Sequence, residues 1–512
     1  MPSQIPSPPA YHDLPNRTST DSFVSVSDWE EEAGLVLPSN RPWQPFWRTL
    51  TRYTRYTTNS PRRRRRFSSP RWSALRQLLR LALICLTTVI IITAIFFPSY
   101  THLPPHYQTL AHLATHSAQP GRANPRQERV FIAAILYDPA GTLARGRWGE
   151  ALLQLIDLLG PDHVYLSIYE SSSGSTGAAA LDTLAQRLPC NHTLRADPPP
   201  DLTTFPTIPI PGGGQRIKRT TYLSELRNRA LAPLDTPDAP PYDRIFYLND
   251  VIFSPHEAIH LLFSTHTDPT GLARYRAACA VDFINPFKFY DTYATRDLQG
   301  YGIGLQFYPW FTTAGDGVSR QDVVAQTDAV RVRSCWGGMV AFNASFFQRA
   351  DNPVRFRADG DLFFDGSECC IVHADLVDSA VGLDGAPEGD GVGVYMNPYV
   401  RTAYTERTFR WLGVTRRVER LYALLHGGLS WLAGLPRFNP RRTQVKGDRV
   451  RETLWVADAH HPNGGQWQEV ERLADNDGFC ADGFGERRGM QVIREKRGPG
   501  EEGWEEIPVP VA

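Results

Sequence analysis

The chain offers no excess charge to a polyanion: 54 Lys and Arg balance 54 Asp and Glu across 512 residues. That removes any bulk-charge argument for a nucleic-acid partner, and none is expected. Its seven cysteines include no Cys-x-x-Cys pair, so neither a zinc ribbon nor a thioredoxin-like motif is indicated. No internal repeat is present, which excludes a solenoid or propeller reading. The neutral total hides an uneven distribution, because the basic excess is concentrated before residue 81.

Residues 1–80 divide into a Pro-, Ser-, Thr- and Arg-rich stretch without periodicity and a basic segment with five consecutive arginines at 62–66. The composition predicts a disordered tail. Residues 81–97 then carry no charge. As a helix they span about 25 Å, within transmembrane range though short. About 80 residues precede them, unlike a secretory signal. The arginines on their N-terminal side predict a cytoplasmic tail and a luminal remainder, and a short span suits a Golgi-type membrane. The expected organisation is a tail at 1–80, a transmembrane signal anchor at 81–97 and a luminal stem at 98–128. A catalytic domain at 129–440 and a C-terminal extension at 441–512, partly packed on that domain, complete it. Sequons at Asn191 and Asn343 fall on the luminal side, and one at Asn16 on the cytosolic side. In an oxidising lumen the six cysteines beyond Cys85 can form up to three disulfides, with the pairing left open.

From residue 129 the pattern predicts an α/β domain. VFIAAIL and VYLSIY read as buried parallel strands, with a helix over 148–159 between them. A small-residue loop at 171–177 opens a helix over 178–188. A helix over 222–231 and a third strand over 243–248 follow, and residues 414–432 read as an amphipathic helix. Strand, helix, strand, loop, helix is the opening of a nucleotide-binding sheet.

Four segments carry candidate chemistry. In YDRIFYLNDVIFS an apolar strand ends at Asn249-Asp250, where a carboxylate can hold a divalent cation against a diphosphate. The blander reading of Asp250 is a turn or cap. DGDLFFDGSECCIVHAD supplies Asp359, Asp361, Asp365, Glu368, His373 and Asp375, candidates for acid, base or ligand. DGDLFFDG also has the opening look of a calcium loop without its full ligand spacing. Glu368 can equally be a helix cap, and His373 a core histidine. RIKRTTYLSELRNRA gathers Arg216, Lys218, Arg219, Arg227 and Arg229, suited to phosphate oxygens or to a solvated helix face. DFINPFKFYDTY, FYPWF and Trp336 offer rings that can stack on sugars or simply fill the core.

Taken together, these stretches resemble the fungal capsule-associated α-1,3-mannosyltransferases, glycosyltransferase family 69. The resemblance runs in order through VFIAAILYD, RIKRTTYLSELRNRAL, YDRIFYLNDVIFSP, AACAVDFINPFKFYDTYATRD, VRSCWGGMVAFNASFF, GSECCIVHADL and VYMNPYVRTAY, ending at NDGFCADGFGERRGMQV. It implies a GT-A-type fold, GDP-mannose as donor, a glycan acceptor, a divalent metal such as Mn2+, and retention at the anomeric carbon. It places Asp250, with Asn249, at the metal, although Leu248 stands where a generic Asp-x-Asp motif has its first acid. His373 becomes a further ligand, and Glu368 with Asp365 the catalytic acids. Arg227, Asn228, Asp282 and Trp336 fall on the donor side. A luminal glycan- or nucleotide-sugar-binding protein without catalysis is the competing class. A glycoside hydrolase, working with two carboxylates and no nucleotide, is a further one.

Overall fold

The computed structural model describes residues 70–197, 201–379, 393–458, 460–462, 464–481, 489–494 and 503–510. The arginine run at 62–66, the sequon at Asn16 and residues 482–488 of the last matching stretch lie outside them.

Ten helices and sixteen strands follow in chain order among the described residues. The helices are α1 Pro70–Phe96, α2 Gln108–His116, α3 Arg147–Leu159, α4 Gly174–Ala185, α5 Arg219–Leu231, α6 Pro255–Phe263, α7 Val318–Val324, α8 Glu368–Asp378, α9 Glu406–Thr415 and α10 Ala423–Leu432. The strands of the first half are β1 Val130–Leu136, β2 Val164–Ser171, β3 Asn191–Asp197, β4 Ile208–Pro209, β5 Gln215–Arg216, β6 Arg244–Leu248, β7 Ala277–Asn285 and β8 Lys288–Phe289. Then come β9 Arg296–Asp297, β10 Val330–Ser334, β11 Met339–Asn343, β12 Val394–Ala403, β13 Arg449–Ala457, β14 Gly465–Leu473, β15 Met490–Ile493 and β16 Trp504–Ile507.

One ten-stranded sheet organises the domain in the order β3-β2-β1-β6-β11-β7-β12-β10-β9, with β8 on β7. β3, β2, β1 and β6 run parallel, with Val130 level with both Val164 and Arg244. β11 then runs antiparallel between β6 and β7. The result is the α/β class expected, built on a central mixed sheet. β1 shows why the apolar runs belong here. Phe131 and Ala133 face one core cluster, and Val130, Ile132, Ala134 and Leu136 face the other. A strand covered on both faces reads as continuous apolar sequence. α3 and α6 cover one face, α5 and α8 the other. Ser254 caps α6 by accepting from the Glu257 N–H, with Pro255 in the first turn.

Within α1, residues Ala74–Phe96 are long and apolar enough to cross a membrane, at roughly 35 Å. The segment read as a stem does not stand clear of the domain. Tyr100 and Tyr107 are fully buried in the main core, and the Tyr107 hydroxyl receives the Asn397 amide at 2.7 Å. Aromatic burial overrides the loop-like composition of 98–128. The amphipathic helix expected over 414–432 is interrupted: α9 stops at Thr415, a 3-10 turn spans Glu419–Tyr422, and α10 follows. Two disulfides form among the described residues, Cys279–Cys335 and Cys370–Cys480, while Cys190 and Cys369 are buried free thiols. The second bond ties the segment before β15 to α8. Asn191 is exposed at the start of β3, whereas Asn343 is half-buried at the end of β11, its side chain accepting from the Ser345 N–H.

Candidate active site

β6 is wholly buried and ends at Leu248, so Asn249 and Asp250 emerge half-buried at its carboxyl end. In a parallel region of sheet, this is where ligand crevices form. Two backbone anchors hold the pair. The Trp148 indole N–H donates to the Asn249 carbonyl at 2.9 Å, and the Asn249 N–H donates to the Gly338 carbonyl at 2.9 Å. Gly337 and Gly338 both have positive φ. A Cβ on Gly337 would sit 2.0 Å from the Ala280 carbonyl oxygen, so the Trp336-Gly337-Gly338 turn requires glycine there.

Burial pushes the Asp250 carboxyl up to about 6; its own backbone and the Arg227 charge oppose the rise, and Asp138 adds to it. Asp138 follows β1 and accepts from the N–H groups of Thr142, Leu143 and Ala144. A desolvated carboxylate at a strand end, with a second acid in its field, suits a hard divalent cation. Such a cation takes one or two carboxylates and completes its shell with phosphate and water.

Arg227, on α5, is the centre of the next layer. Its Nε donates to Glu368 Oε1 at 3.2 Å and its Nη1 to Asn249 Oδ1 at 3.5 Å. Its guanidinium lies 4.5 Å from the Trp336 ring centroid, 5.3 Å from Tyr247 and 5.6 Å from Phe356. Both members of the Arg227–Glu368 pair are buried. Glu368 opens α8 behind the N-cap Ser367, where the helix dipole favours an anion. The structure therefore brings together four residues predicted from separate segments: Asn249, Arg227, Trp336 and Glu368.

Two predicted residues do not join them. The Asn228 amide is committed to the backbone of Phe356, donating to its carbonyl at 2.8 Å and accepting from its N–H at 2.9 Å. It fixes a wall of the Arg227 cage instead of contacting a donor. His373 is fully buried, with Nδ1 2.8 Å from the Cys369 carbonyl and Nε2 3.9 Å from Cys279 Sγ. Burial lowers its pKa to about 4. Cys279, Cys335 and His373 do lie close enough to hold an ion, but the two sulfurs are bonded to each other. His373 is a core histidine and not the metal ligand expected.

Asp282 forms a neighbouring acid pocket at the end of β7. Oδ1 accepts from the Asp291 N–H at 3.0 Å, and Oδ2 from the Tyr404 hydroxyl at 3.0 Å. Burial, reinforced by the Asp291 charge, pushes Asp282 up to about 8. Asp291 Oδ2 accepts from the Thr295 hydroxyl and the Gly337 N–H, linking this pocket to the Trp336 turn.

Asp365 sits three residues before Glu368 with a buried Oδ1 that has no hydrogen-bond partner. Burial raises its pKa while Lys218 opposes the rise. The loop ahead of it, which resembled a calcium site, already contains a cation. Lys218 Nζ donates to the carbonyls of Asp359 at 2.9 Å, Asp361 at 3.2 Å and Phe364 at 2.9 Å. Sequence reasoning counted Lys218 only among the basic residues near phosphate. It missed Asp138 and Asp291, although both close or punctuate stretches quoted for the resemblance, in VFIAAILYD and DFINPFKFYDTY.

The description "Cryptococcal mannosyltransferase 1" belongs to the family that matches residues 129–375. That span contains Arg227, Asp250, Trp336, Asp365 and Glu368. Residues 129–375, just under half of the chain, match the capsule-associated mannosyltransferase family. The protein is accordingly a glycosyltransferase. No curated protein matches the chain. Among solved structures, it is similar to a mannosyltransferase from Pyrobaculum calidifontis in complex with GDP-Man and Mn2+, at 13% identity over 69% of this chain and 77% of that one, TM-score 0.31. It is also similar to mannosyl-3-phosphoglycerate synthase from Rubrobacter xylanophilus, at 14% identity over 74% and 94% of the two chains, TM-score 0.27. A third similarity is to GalNAc-T7 with UDP, GalNAc and Mn2+, at 9% identity over 60% and 54%, TM-score 0.29.

Proposed function

We propose that this glycosyltransferase moves mannose from GDP-mannose to a hydroxyl of a glycan acceptor, forming an α-1,3 linkage with retention. It would do so as a type II, single-pass Golgi enzyme with a cytoplasmic tail at 1–80 and a luminal catalytic domain beginning near residue 129. The observation that carries the reading is the strand-end carboxylate Asp250 beside the caged Arg227, inside the family-matched span.

Asp250 fits a divalent cation, Mn2+ in this reading, with the donor's diphosphate and water completing its shell. Bound there, the ion would supply charge neutralisation for the leaving diphosphate. The chain's own groups do the rest. The Asn249 backbone, pinned by Trp148 and Gly338, fixes where the carboxylate points. The aromatic cage and Glu368 immobilise Arg227, so its field reaches the site without reorganisation. Trp336, itself buried, serves the donor side through the wall it gives the Arg227 cage. Asp282 and its neighbours line the donor pocket. Asp365, with an open Oδ1 and a raised pKa, orients the acceptor hydroxyl and can hold its proton; Glu368 acts through Arg227.

One observation favours the competing reading, a nucleotide-sugar binder without turnover: Glu368 is already paired with a buried arginine. Detergent-solubilised full chain, given a panel of nucleotide sugars and glycan acceptors with and without Mn2+, separates the two. Metal-dependent GDP release from GDP-mannose alone supports the proposal. Release from another donor sinks mannose, and silence together with intact GDP-mannose binding favours the binder.

A further inference from the structure

α10 carries its amphipathicity inside out. Its two buried residues are His426 and Ser430, one turn apart. His426 Nε2 lies 3.0 Å from the Leu305 carbonyl, Arg320 donates to its Nδ1 at 2.9 Å, and the Leu305 N–H donates to the Ser430 hydroxyl at 3.2 Å. The outward positions are apolar: Leu424 is 79% exposed, Leu425 64%, Trp431 78% and Leu432 72%. A helix on a water-facing surface shows the reverse pattern. Phe438, 82% exposed just beyond the helix, and Trp411, 50% exposed on α9, add to the apolar surface.

The position of this surface says what covers it. The 3-10 turn Glu419–Tyr422 between α9 and α10 packs against α1. The Arg417 guanidinium donates to the Ala94 carbonyl at 3.4 Å, and the Ser99 N–H donates to the Arg416 carbonyl at 2.8 Å. The apolar surface therefore stands beside the last turn of α1, where Ile95, Phe96 and Phe97 are themselves exposed. A helix that crosses a bilayer leaves the hydrocarbon at that point. Between residues 407 and 447 there are eight arginines, one lysine and a single acid, Glu419. That acid is buried and paired with Arg401 at 2.6 Å. Exposed tryptophan, phenylalanine and leucine in an arginine-rich segment is the composition of a segment lying at the lipid interface.

We propose that α9 and α10 lie in the headgroup-to-acyl boundary of the same bilayer that α1 crosses, seating the catalytic domain on the lipid surface. The proposal rests on α1 being a membrane span. Lipid is preferred over a second protein because the apolar surface continues directly from the exposed end of α1.

The test uses the full chain in nanodiscs, with plain lipid or lipid carrying an acyl-chain nitroxide. An environment-sensitive fluorophore is attached to Cys85, the exposed native thiol on α1; Cys190 and Cys369 are buried. In a Cys85→Ser background it is attached instead at Leu425→Cys, Trp431→Cys or Arg449→Cys, the last an exposed control on β13. The expected result is nitroxide quenching at Cys85, Leu425→Cys and Trp431→Cys at least threefold above that at Arg449→Cys. Quenching at Cys85 with Leu425→Cys and Trp431→Cys no different from Arg449→Cys overturns lipid docking and leaves the span intact. Labels at 425 and 431 that are shielded from water but unquenched overturn it in favour of a protein interface. An unquenched Cys85 sinks the span reading itself, and the proposal with it.

Discussion

Lys218→Met is the most informative single substitution, because it removes a charge while keeping the length of the side chain. Lys218 is 1% exposed, and its ammonium is the shared donor to three carbonyls of the loop that delivers Asp365 and Glu368. Each hydrogen bond from a charged donor contributes about 1.5–3 kcal/mol, so three give a gross loss of roughly 5–9 kcal/mol. Burying the ammonium costs several kcal/mol, which the substitution recovers. The expected net destabilisation is therefore on the order of 3 kcal/mol. For a domain this large that corresponds to a fall in Tm of about 4 °C. Loosening the loop also displaces the two acids, and misplacement by about 1 Å can cost on the order of 100-fold in rate. Thermal unfolding and initial-rate assays on the same preparation read both effects. Because the loop already contains its cation, millimolar Ca2+ leaves the wild-type Tm unchanged. A variant that melts within 2 °C of wild type and turns over normally refutes the idea that Lys218 holds the loop.

Asp250→Asn is expected to lower Mn2+-dependent turnover by at least 100-fold with little change in Tm, since it removes a buried charge and keeps the shape; full activity at saturating Mn2+ would rule Asp250 out as the ligand. Asp282 gives a pH signature. Its folded pKa of about 8 lies above the ordinary carboxylate value, so between pH 4 and 8 the unfolded chain releases a proton that the native state keeps. Stability then falls as pH rises, by about 1.4 kcal/mol per pH unit at most, and is level above pH 8. Asp282→Asn should flatten that slope in denaturant melts across the window, and an unchanged slope would count against it. Cys480→Ser opens the bond that closes 110 residues of separation; loops of that size give about 5 kcal/mol in the chain-entropy account. Its Tm should drop and become less sensitive to dithiothreitol than that of wild type, Cys279–Cys335 being the bond left to reduce.

Much of the sheet was legible because its central strands are covered on both faces. VFIAAIL, VYLSIY and DRIFYL became β1, β2 and β6 to within two residues, and β6 put Asp250 at the predicted strand end. β13 and β14 were not foreseen, although RVRETLWVA alternates exposed and covered positions, the period-two pattern of a half-covered ribbon. Residues 98–128 misled for the opposite reason. Their histidines, prolines and threonines read as a flexible connector, yet burying two tyrosines outweighs the entropy of ordering a short segment.

Within the site, what separates the residues that converge from those that do not is where their hydrogen-bonding capacity goes. Arg227 and Asn228 are neighbours in one motif, but successive helical positions point about 100° apart. Arg227 turns into an aromatic cage against Glu368, and Asn228 turns to the backbone of Phe356. His373 is five residues beyond Glu368 on α8, and that rotation carries it under the sheet to a disulfide. A motif names residue types at a spacing and is silent about which polar atoms the backbone will claim. Asp250 and Asp365, like Asp282, Asp291 and Asp359, are acids that burial raises without an ion pair, but Asp250 stands at the end of β6 and Asp365 has a buried Oδ1 without a hydrogen-bond partner. That leaves Asp250 suited to a cation and Asp365 to a proton. Exchanging the roles predicts the opposite metal dependence: if Asp365→Asn, and not Asp250→Asn, raises the Mn2+ concentration needed for half-maximal turnover, the division of labour between them is reversed.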